Sequence, residues 1–152
     1  MNGPGSSRLV IDTNVALDLL VFNEPAHAVQ MAPLRLALRE GHVQWLATAA
    51  MRDELERVLS YPKLAPRVAF YGCTVQSVLR DFDALARLEA PAARIAFTCK
   101  DADDQIFADL AVARRTHLLS KDDALLSMKK RLATLGAQVW TPSAFIGSML
   151  PS

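Results

Sequence analysis

The sequence has little of what several common classes of protein require. Only two of its 152 residues are cysteines, and Cys73 and Cys99 are too far apart to form a metal-binding pair. The first residues carry no apolar segment of the kind found in signal peptides, and no apolar run approaches the ~20 residues that span a bilayer. These absences predict a reduced, cytoplasmic protein without a membrane partner.

The sequence also lacks the residues that several kinds of catalytic site require. There is no glycine-rich phosphate loop, no zinc-type spacing of cysteine and histidine, and no serine in a nucleophile elbow. The three histidines, His27, His42 and His117, are scattered along the chain, and His117, which follows the start of a predicted strand, is expected to be structural. No chemistry therefore competes with that of the acidic residues.

The chain has almost no excess of charge of either sign. The formal net charge is +1, which neither requires nor excludes a nucleic-acid partner, because an acidic pocket and basic patches can coexist. The basic run Lys129–Arg131 is interpreted as a solvated helix face. The apolar content of 51% predicts one globular domain, with residues 1–7 as a flexible lead-in and residues 8–150 as the domain.

Two kinds of segment alternate along the chain. Short apolar runs rich in β-branched residues predict strands, and longer stretches with apolar positions at helical spacing predict helices. The predicted strands are Arg8–Asp12, Val43–Ala47, Thr116–Ser120 and Ala137–Trp140, with Arg94–Phe97 a short strand or an extended link. The first predicted helix begins at Thr13 and is interrupted at Asn23–Pro25. The others cover Ala26–Arg39, Thr48 to Tyr61, Thr74–Leu88, Asp103–Arg115, Asp123–Leu135 in one or two pieces, and the residues after Pro142. This alternation predicts an α/β fold, a three-layer α/β/α sandwich with a parallel sheet of four to five strands.

Four acidic residues stand where apolar runs end or helices begin. Asp12 and Asp122 follow predicted strands, Asp104 lies at an acidic helix start, and Glu54 lies in the helix that Thr48 begins. Residues past the ends of parallel strands converge on one edge of the sheet. Four carboxylates gathered there would repel one another, so the pattern predicts a hard divalent cation, Mg²⁺ or Mn²⁺, between them.

Each of these acids also has a structural interpretation. Aspartate before a helix is often only an N-cap, which would account for Asp12 and Asp122, while Asp101 would be the cap and Asp104 its capping-box partner. Capping does not explain Glu54, which lies beside the buried face of its helix and needs a partner: Arg57, Lys63 or a metal. Glu54 therefore carries the metal-site interpretation. The short polar residues Asn14 and Ser120 either orient the carboxylates or make ordinary turn hydrogen bonds.

Five segments, in order over residues 8–146, resemble the PIN domain (PilT N-terminus) family. They are Leu9–Val15, Thr48–Lys63, Asp101–Ala111, Leu118–Leu126 and Val139–Phe145. The greatest similarity is to the branch of toxin components of toxin–antitoxin systems, such as VapC toxins. The resemblance implies a PIN-like sandwich and a Mg²⁺- or Mn²⁺-dependent endoribonuclease, with an RNA substrate, a cognate antitoxin protein and a homodimer.

The resemblance also implies roles for individual residues. Asp12, Glu54, Asp104 and Asp122 would be the catalytic, metal-binding acids, and Thr13, Asn14 and Ser120 would be polar support. Asp103 is next to Asp104, and Asp123 is next to Asp122. At each of these two places, either of the neighbouring aspartates is a candidate ligand. Lys121 stands where a small residue is common, and would crowd the site or contact RNA phosphate.

Two further alternatives stay open at the level of sequence. The chain is either a nuclease or a non-catalytic PIN-like module that binds RNA or protein, and a phosphoesterase acting on DNA or a small ester is a third hypothesis. The apolar residues Leu17, Leu20, Val21 and Phe22 either contribute to a homodimer interface or pack in the core.

Overall fold

The computed structural model describes residues 7–22 and 25–150, with the side chains of residues 25–29 left outside the description. Its centre is a five-stranded sheet in the order β3-β2-β1-β4-β5, in which every pairing is parallel. The strands are β1 (Ser7–Ile11), β2 (Val43–Ala47), β3 (Ala86–Leu88), β4 (His117–Leu119) and β5 (Gln138–Trp140). The predicted α/β class is confirmed.

Helices cover both faces of this sheet and bury its central strands. They are α1 (Thr13–Leu20), α2 (Pro25–Arg39), α3 (Ala49–Leu59), α4 (Ala65–Phe70), α5 (Val75–Leu85), a 3₁₀ turn (Ala102–Asp104), α6 (Gln105–Arg114), α7 (Asp123–Leu126), α8 (Lys129–Thr134) and α9 (Pro142–Met149). Leu9, Val10 and Ile11 of β1 are all buried, as a parallel strand covered on two faces requires. Within the described part of the chain, none of the helices is both long and apolar enough to cross a membrane.

The middle of the chain differs from its prediction. The helix predicted over Thr74–Leu88 begins as expected, with Thr74 as its cap, but ends at Leu85. Ala86 is already extended, and the three residues that follow the helix form β3, where Ala86 lies opposite Trp45 of β2. Residues 94–97 form no strand. The error arises because β3 is a short, mostly exposed edge strand and so lacks the apolar run that marks the central strands.

Some predictions fall on residues outside the description. Residues 1–6 of the predicted lead-in lie outside it, while Ser7 opens β1. The interruption at Asn23 and Glu24 and the side chain of His27 also lie outside it. Of the candidate interface residues, Leu17, Val21 and Phe22 are buried in the core, so core packing is their role in the fold. The homodimer itself stays a prediction.

The carboxyl ends of β1 and β4 bring two candidate residues to one edge of the sheet. Asp12 follows β1 and Ser120 follows β4, and the two strands are neighbours at the centre of the sheet. The ladder continues one residue past β1, since the backbone N–H of Asp12 donates to the carbonyl of Leu119 at 3.1 Å. The chain order reverses between β1 and β4, and crevices at such switch points are where α/β folds bind ligands.

Candidate metal centre

Three carboxyl groups approach one another closely at this edge. Oxygen atoms of Asp101, Asp104 and Asp122 all lie within 4.8 Å of one another. Asp104 is only 8% exposed, and its Oδ2 atom is buried without a hydrogen-bond partner among the described residues. A buried carboxylate oxygen without a donor is costly, so this atom requires either a proton or a cation. The chemistry of the group fits Mg²⁺ or Mn²⁺, which prefer carboxylate oxygens.

The pKa of Asp104 shows that its ionised form is unfavourable in the metal-free group. The pKa of Asp104 is raised to about 8, above all by burial and then by the neighbouring Asp122. Asp104 therefore keeps its proton at neutral pH when no cation is present, and a bound cation would take the place of that proton.

Asp12 has both of the roles that its position allowed. It is the N-cap of α1, where its Oδ1 accepts from the backbone N–H of Val15 at 3.0 Å, and its Oδ2 accepts from Ser120 Oγ at 2.5 Å. Burial raises the pKa of Asp12, and the charge of Asp122 adds to that rise. Capping and proximity to the acidic group are therefore compatible in this residue.

Ser120 connects two of the acids. It is fully buried, its hydroxyl donates to Asp12, and the same oxygen accepts from the backbone N–H of Asp122 at 2.9 Å. Asp122 in turn caps α7, because its Oδ1 accepts from the backbone N–H of Ala124 at 2.9 Å. The interpretation of Ser120 as a residue that orients carboxylates fits this geometry.

Glu54 lies near Asp103 and Asp12 but outside the close group. It is half-buried on α3, beside the buried face as expected, and it accepts a hydrogen bond from the side chain of Thr13. Burial raises its pKa, and the charge of Asp103 raises it further while that of Arg57 lowers it. A cleft of 290 Å³ opens beside it, lined by Ala50, Asp53, Glu54, Arg57, Ala102, Asp103 and Ile106. Glu54 thus faces the 3₁₀ turn, although it is not one of the three tightly grouped acids.

The structure distinguishes the adjacent acids by burial. Asp104 and Asp122 belong to the close group, whereas Asp103 and Asp123 are exposed. Asn14 is exposed in the first turn of α1 and makes no side-chain hydrogen bond within the described residues. Of the supporting polar residues, Thr13 and Ser120 therefore contact the acids and Asn14 does not.

Asp101 is a candidate ligand that the sequence interpretation missed. It was expected only to cap a helix, and it does cap the 3₁₀ turn, with its Oδ1 accepting from the backbone N–H of Asp103 at 2.9 Å. The expected capping box with Asp104 does not form, since the Asp104 side chain makes no cap hydrogen bond. The backbone N–H of Asp104 donates to the carbonyl of Asp101 at 3.1 Å, and this bond closes the turn and keeps the two residues close together.

A buried polar network fixes the segment that leads to Asp101. Gln105 Oε1 accepts from the backbone N–H of Cys99 at 2.8 Å, and Gln105 Nε2 donates to Asp109 Oδ1 at 2.9 Å. Asp109 also accepts from the backbone N–H of Ile95 at 3.1 Å. Both side chains lie on α6, one turn apart, so α6 holds this otherwise irregular segment in place.

His117 is structural, as expected. Its Nδ1 accepts from Trp140 Nε1 at 2.9 Å, and its ring packs edge-on against Phe145. Burial lowers its pKa, which keeps the imidazole neutral as the hydrogen bond from Trp140 requires. The histidine therefore joins β4 to β5 and α9 and takes no part in the acidic group.

The fold and this group together define an α/β protein with a candidate divalent-cation site at the carboxyl edge of a parallel sheet. Comparison with known families assigns it further, since the model of the PIN domain matches residues 8–124, a range that contains all of the acids above. The chain belongs to the PIN domain family. PIN domains are generally nucleases, so the protein has the fold of a phosphodiester hydrolase. A comparison with curated proteins finds no match to this chain.

Proposed function

We propose that the protein is a Mg²⁺- or Mn²⁺-dependent endoribonuclease that hydrolyses RNA phosphodiester bonds. The observation that carries the proposal is the buried Oδ2 of Asp104, which has no partner among the described residues and lies in a group with the carboxyl groups of Asp101 and Asp122. Asp104 makes no side-chain cap hydrogen bond, so helix capping does not account for its buried carboxyl group. A cation-binding role accounts for it.

The residues divide by their place in the group. Asp104 and Asp122 would hold the ion, with Asp101 as a third ligand, and Asp12 and Glu54 would add negative charge at its border. A bound divalent cation lowers the pKa of water and offsets the charge that develops on a phosphodiester during hydrolysis. Ser120 and Thr13 hold Asp12 and Glu54 in place through their hydroxyl groups. The open cleft beside Glu54 is where the chain to be cut would approach.

RNA cleavage with and without metal tests the proposal. We expect cleavage in Mg²⁺ or Mn²⁺ that chelation abolishes, and a loss of at least 100-fold, on the order expected for essential groups, in Asp12→Asn and Asp104→Asn. Asp123→Asn is the matched control, because Asp123 is exposed and outside the close group, and it should keep wild-type activity. Metal-independent cleavage, or full activity in both site variants, would overturn the proposal.

The choice of RNA rests on the family resemblance, and a substrate panel tests it. Matched RNA and DNA oligonucleotides and a small phosphodiester separate a ribonuclease from the other phosphoesterases that such a site allows. Calorimetric titration with Mn²⁺ separates both from a non-catalytic binding module, since that module would stay folded at millimolar Mn²⁺ without binding it.

We also propose a biological role, as the toxin of a bacterial type II toxin–antitoxin system. Its support is the similarity of the motif segments to VapC-like toxins. Induced expression in a bacterial host should arrest growth, and the Asp104→Asn variant should not. A cognate antitoxin should restore growth and co-purify with the toxin. The expected homodimer is measured separately, by sedimentation of the purified protein.

A further inference from the structure

The loop between β4 and α7 consists of residues 120–122. A second contact joins this β4–α7 loop to α1, next to the hydrogen bond between Ser120 and Asp12. The ammonium group of Lys121 pairs with Oδ2 of Asp18, on α1. The Asp18 side chain is 8% exposed, whereas that of Lys121 is 46% exposed, so the lysine reaches from the surface to a buried carboxylate. A buried carboxylate needs a partner, which gives this contact a reason to persist in solution.

The pair occupies a particular place in the loop. Three consecutive residues each make a different contact: Ser120 donates to Asp12, Lys121 pairs with Asp18, and Asp122 belongs to the acidic group. Asp12 and Asp18 are six residues apart along α1, so the loop is attached to that helix at two separate points. The second attachment is made by the residue immediately before Asp122.

From this arrangement we infer that the Lys121–Asp18 ion pair positions Asp122 for metal binding. Lys121 and Asp18 are positioning residues, which act through the loop and do not touch the ion. Side chains that orient ligands in this way typically alter metal affinity 10–100-fold when they are removed. The inference rests on the metal site of the proposed function and extends it to two residues outside the acidic group.

Simple electrostatics makes the opposite prediction for one variant. Lys121 is positively charged and lies near enough to Asp12 to lower the pKa of that residue. If charge were its only influence, removing Lys121 would strengthen the binding of a cation. If it positions Asp122, removing it weakens binding. The direction of the change in Mn²⁺ affinity therefore separates the two effects.

The experiment is a calorimetric titration of the full chain with Mn²⁺ at neutral pH. The variants are Lys121→Met, Asp18→Asn, the double variant and Lys121→Arg, and Lys130→Met on the exposed face of α8 is the matched control. We expect Kd to rise roughly 10-fold in each single variant and by about the same factor in the double variant, because both remove one interaction. Lys121→Arg should restore most of the affinity, and Lys130→Met should bind like the wild type.

The outcomes separate this inference from the function on which it rests. If the wild type binds Mn²⁺ and Lys121→Met binds as tightly or more tightly, the positioning role is wrong and the metal site stands. Additive losses in the double variant would also overturn it. If the wild type binds no Mn²⁺, the metal site fails and this inference falls with it. Circular dichroism of each variant establishes that the protein titrated is folded, and Asp18→Asn, which is isosteric, keeps the test decisive if Lys121→Met does not fold.

Discussion

The hydroxyl of Ser120 donates to Oδ2 of Asp12 at 2.5 Å, joining the ends of two neighbouring strands across 108 residues of sequence. Because the same oxygen accepts from the backbone N–H of Asp122, one small side chain sets the positions of two acids. Neither bond is available to a side chain without a hydroxyl. The geometry of the site therefore depends on a residue that is not itself expected to bind metal.

Ser120→Ala should damage both stability and metal binding. The change leaves buried Asp12 without its donor, which should lower the free energy of unfolding by about 1–3 kcal/mol. It should also weaken Mn²⁺ binding by roughly 10-fold, as loss of an orienting partner does. Urea unfolding and calorimetry measure the two effects. Ser127→Ala is the control, since Ser127 is exposed and bonds only within α7 and its cap; an equal loss in both variants would contradict the account.

Asp101→Asn and Asp103→Asn should differ in their effect on Mn²⁺ affinity. Both residues are exposed, but Asp101 belongs to the close group, whereas Asp103 lies towards Glu54. Asparagine caps a helical turn as well as aspartate does, so Asp101→Asn keeps the cap and loses only charge and a ligand. We expect a rise in Kd of roughly 10-fold for Asp101→Asn and a smaller one for Asp103→Asn. The reverse order, measured by calorimetry, would remove Asp101 from the site.

Glu54→Gln should separate metal binding from catalysis. Glu54 lies outside the group of three and is held by Thr13, so the metal should still bind when Glu54 loses its charge. We expect RNA cleavage to fall roughly 100-fold while the Kd for Mn²⁺ changes far less than in Asp104→Asn. Glu56→Gln, on the same helix and exposed, is the control. Loss of Mn²⁺ binding as large as in Asp104→Asn would make Glu54 a principal ligand instead.

Asp104 should make the stability of the metal-free protein fall as pH rises. Its pKa is raised from 3.8 to about 8 in the folded state, so the folded protein holds a proton that the unfolded chain has released. This contribution is complete below pH 3.8 and is lost as pH rises towards 8. The neutral amide introduced by Asp104→Asn would mimic the protonated carboxyl group at every pH, so this variant should gain on the wild type over the same range by about 1 kcal/mol or more.

Urea unfolding in a chelator, at several pH values between these limits, measures that difference. Comparing the two proteins cancels the titration of the carboxyl groups distant from Asp104, which both share. Added Mn²⁺ should stabilise the wild type and leave Asp104→Asn unchanged, since a ligand stabilises the state that binds it. A stability difference that stays constant with pH would mean that Asp104 is not the group that holds the proton.

The central part of the fold could be predicted from sequence because its signals are strong and local. The apolar run Val43–Ala47 is the strand β2 with the same ends, and Thr48 caps the next helix through the backbone N–H of Met51. The half-burial of Glu54 also followed from helical spacing. These features depend on neighbours within a turn or a strand, which is the range over which pattern and composition act.

Features that depend on distant contacts were harder to predict. The edge strand β3 exists because Ala86–Leu88 pairs with β2, and its three residues are too few to mark a strand by their own pattern. Asp101 belongs to the acidic group because a 3₁₀ turn follows it. The sequence predicted the first turn of an α-helix there. The ion pair of Lys121 joins residues 103 positions apart, from Asp18 to Lys121, and the sequence offered only the alternatives of crowding or phosphate contact.

The most direct test of the metal site is a crystal structure of the protein soaked in Mn²⁺, with anomalous data collected to locate the ion. The account predicts an anomalous peak bound by the carboxyl groups of Asp104 and Asp122, with Asp101 at its side, and no such peak in crystals of Asp104→Asn. A peak elsewhere on the molecule, or no peak in the wild type at millimolar Mn²⁺, would contradict it.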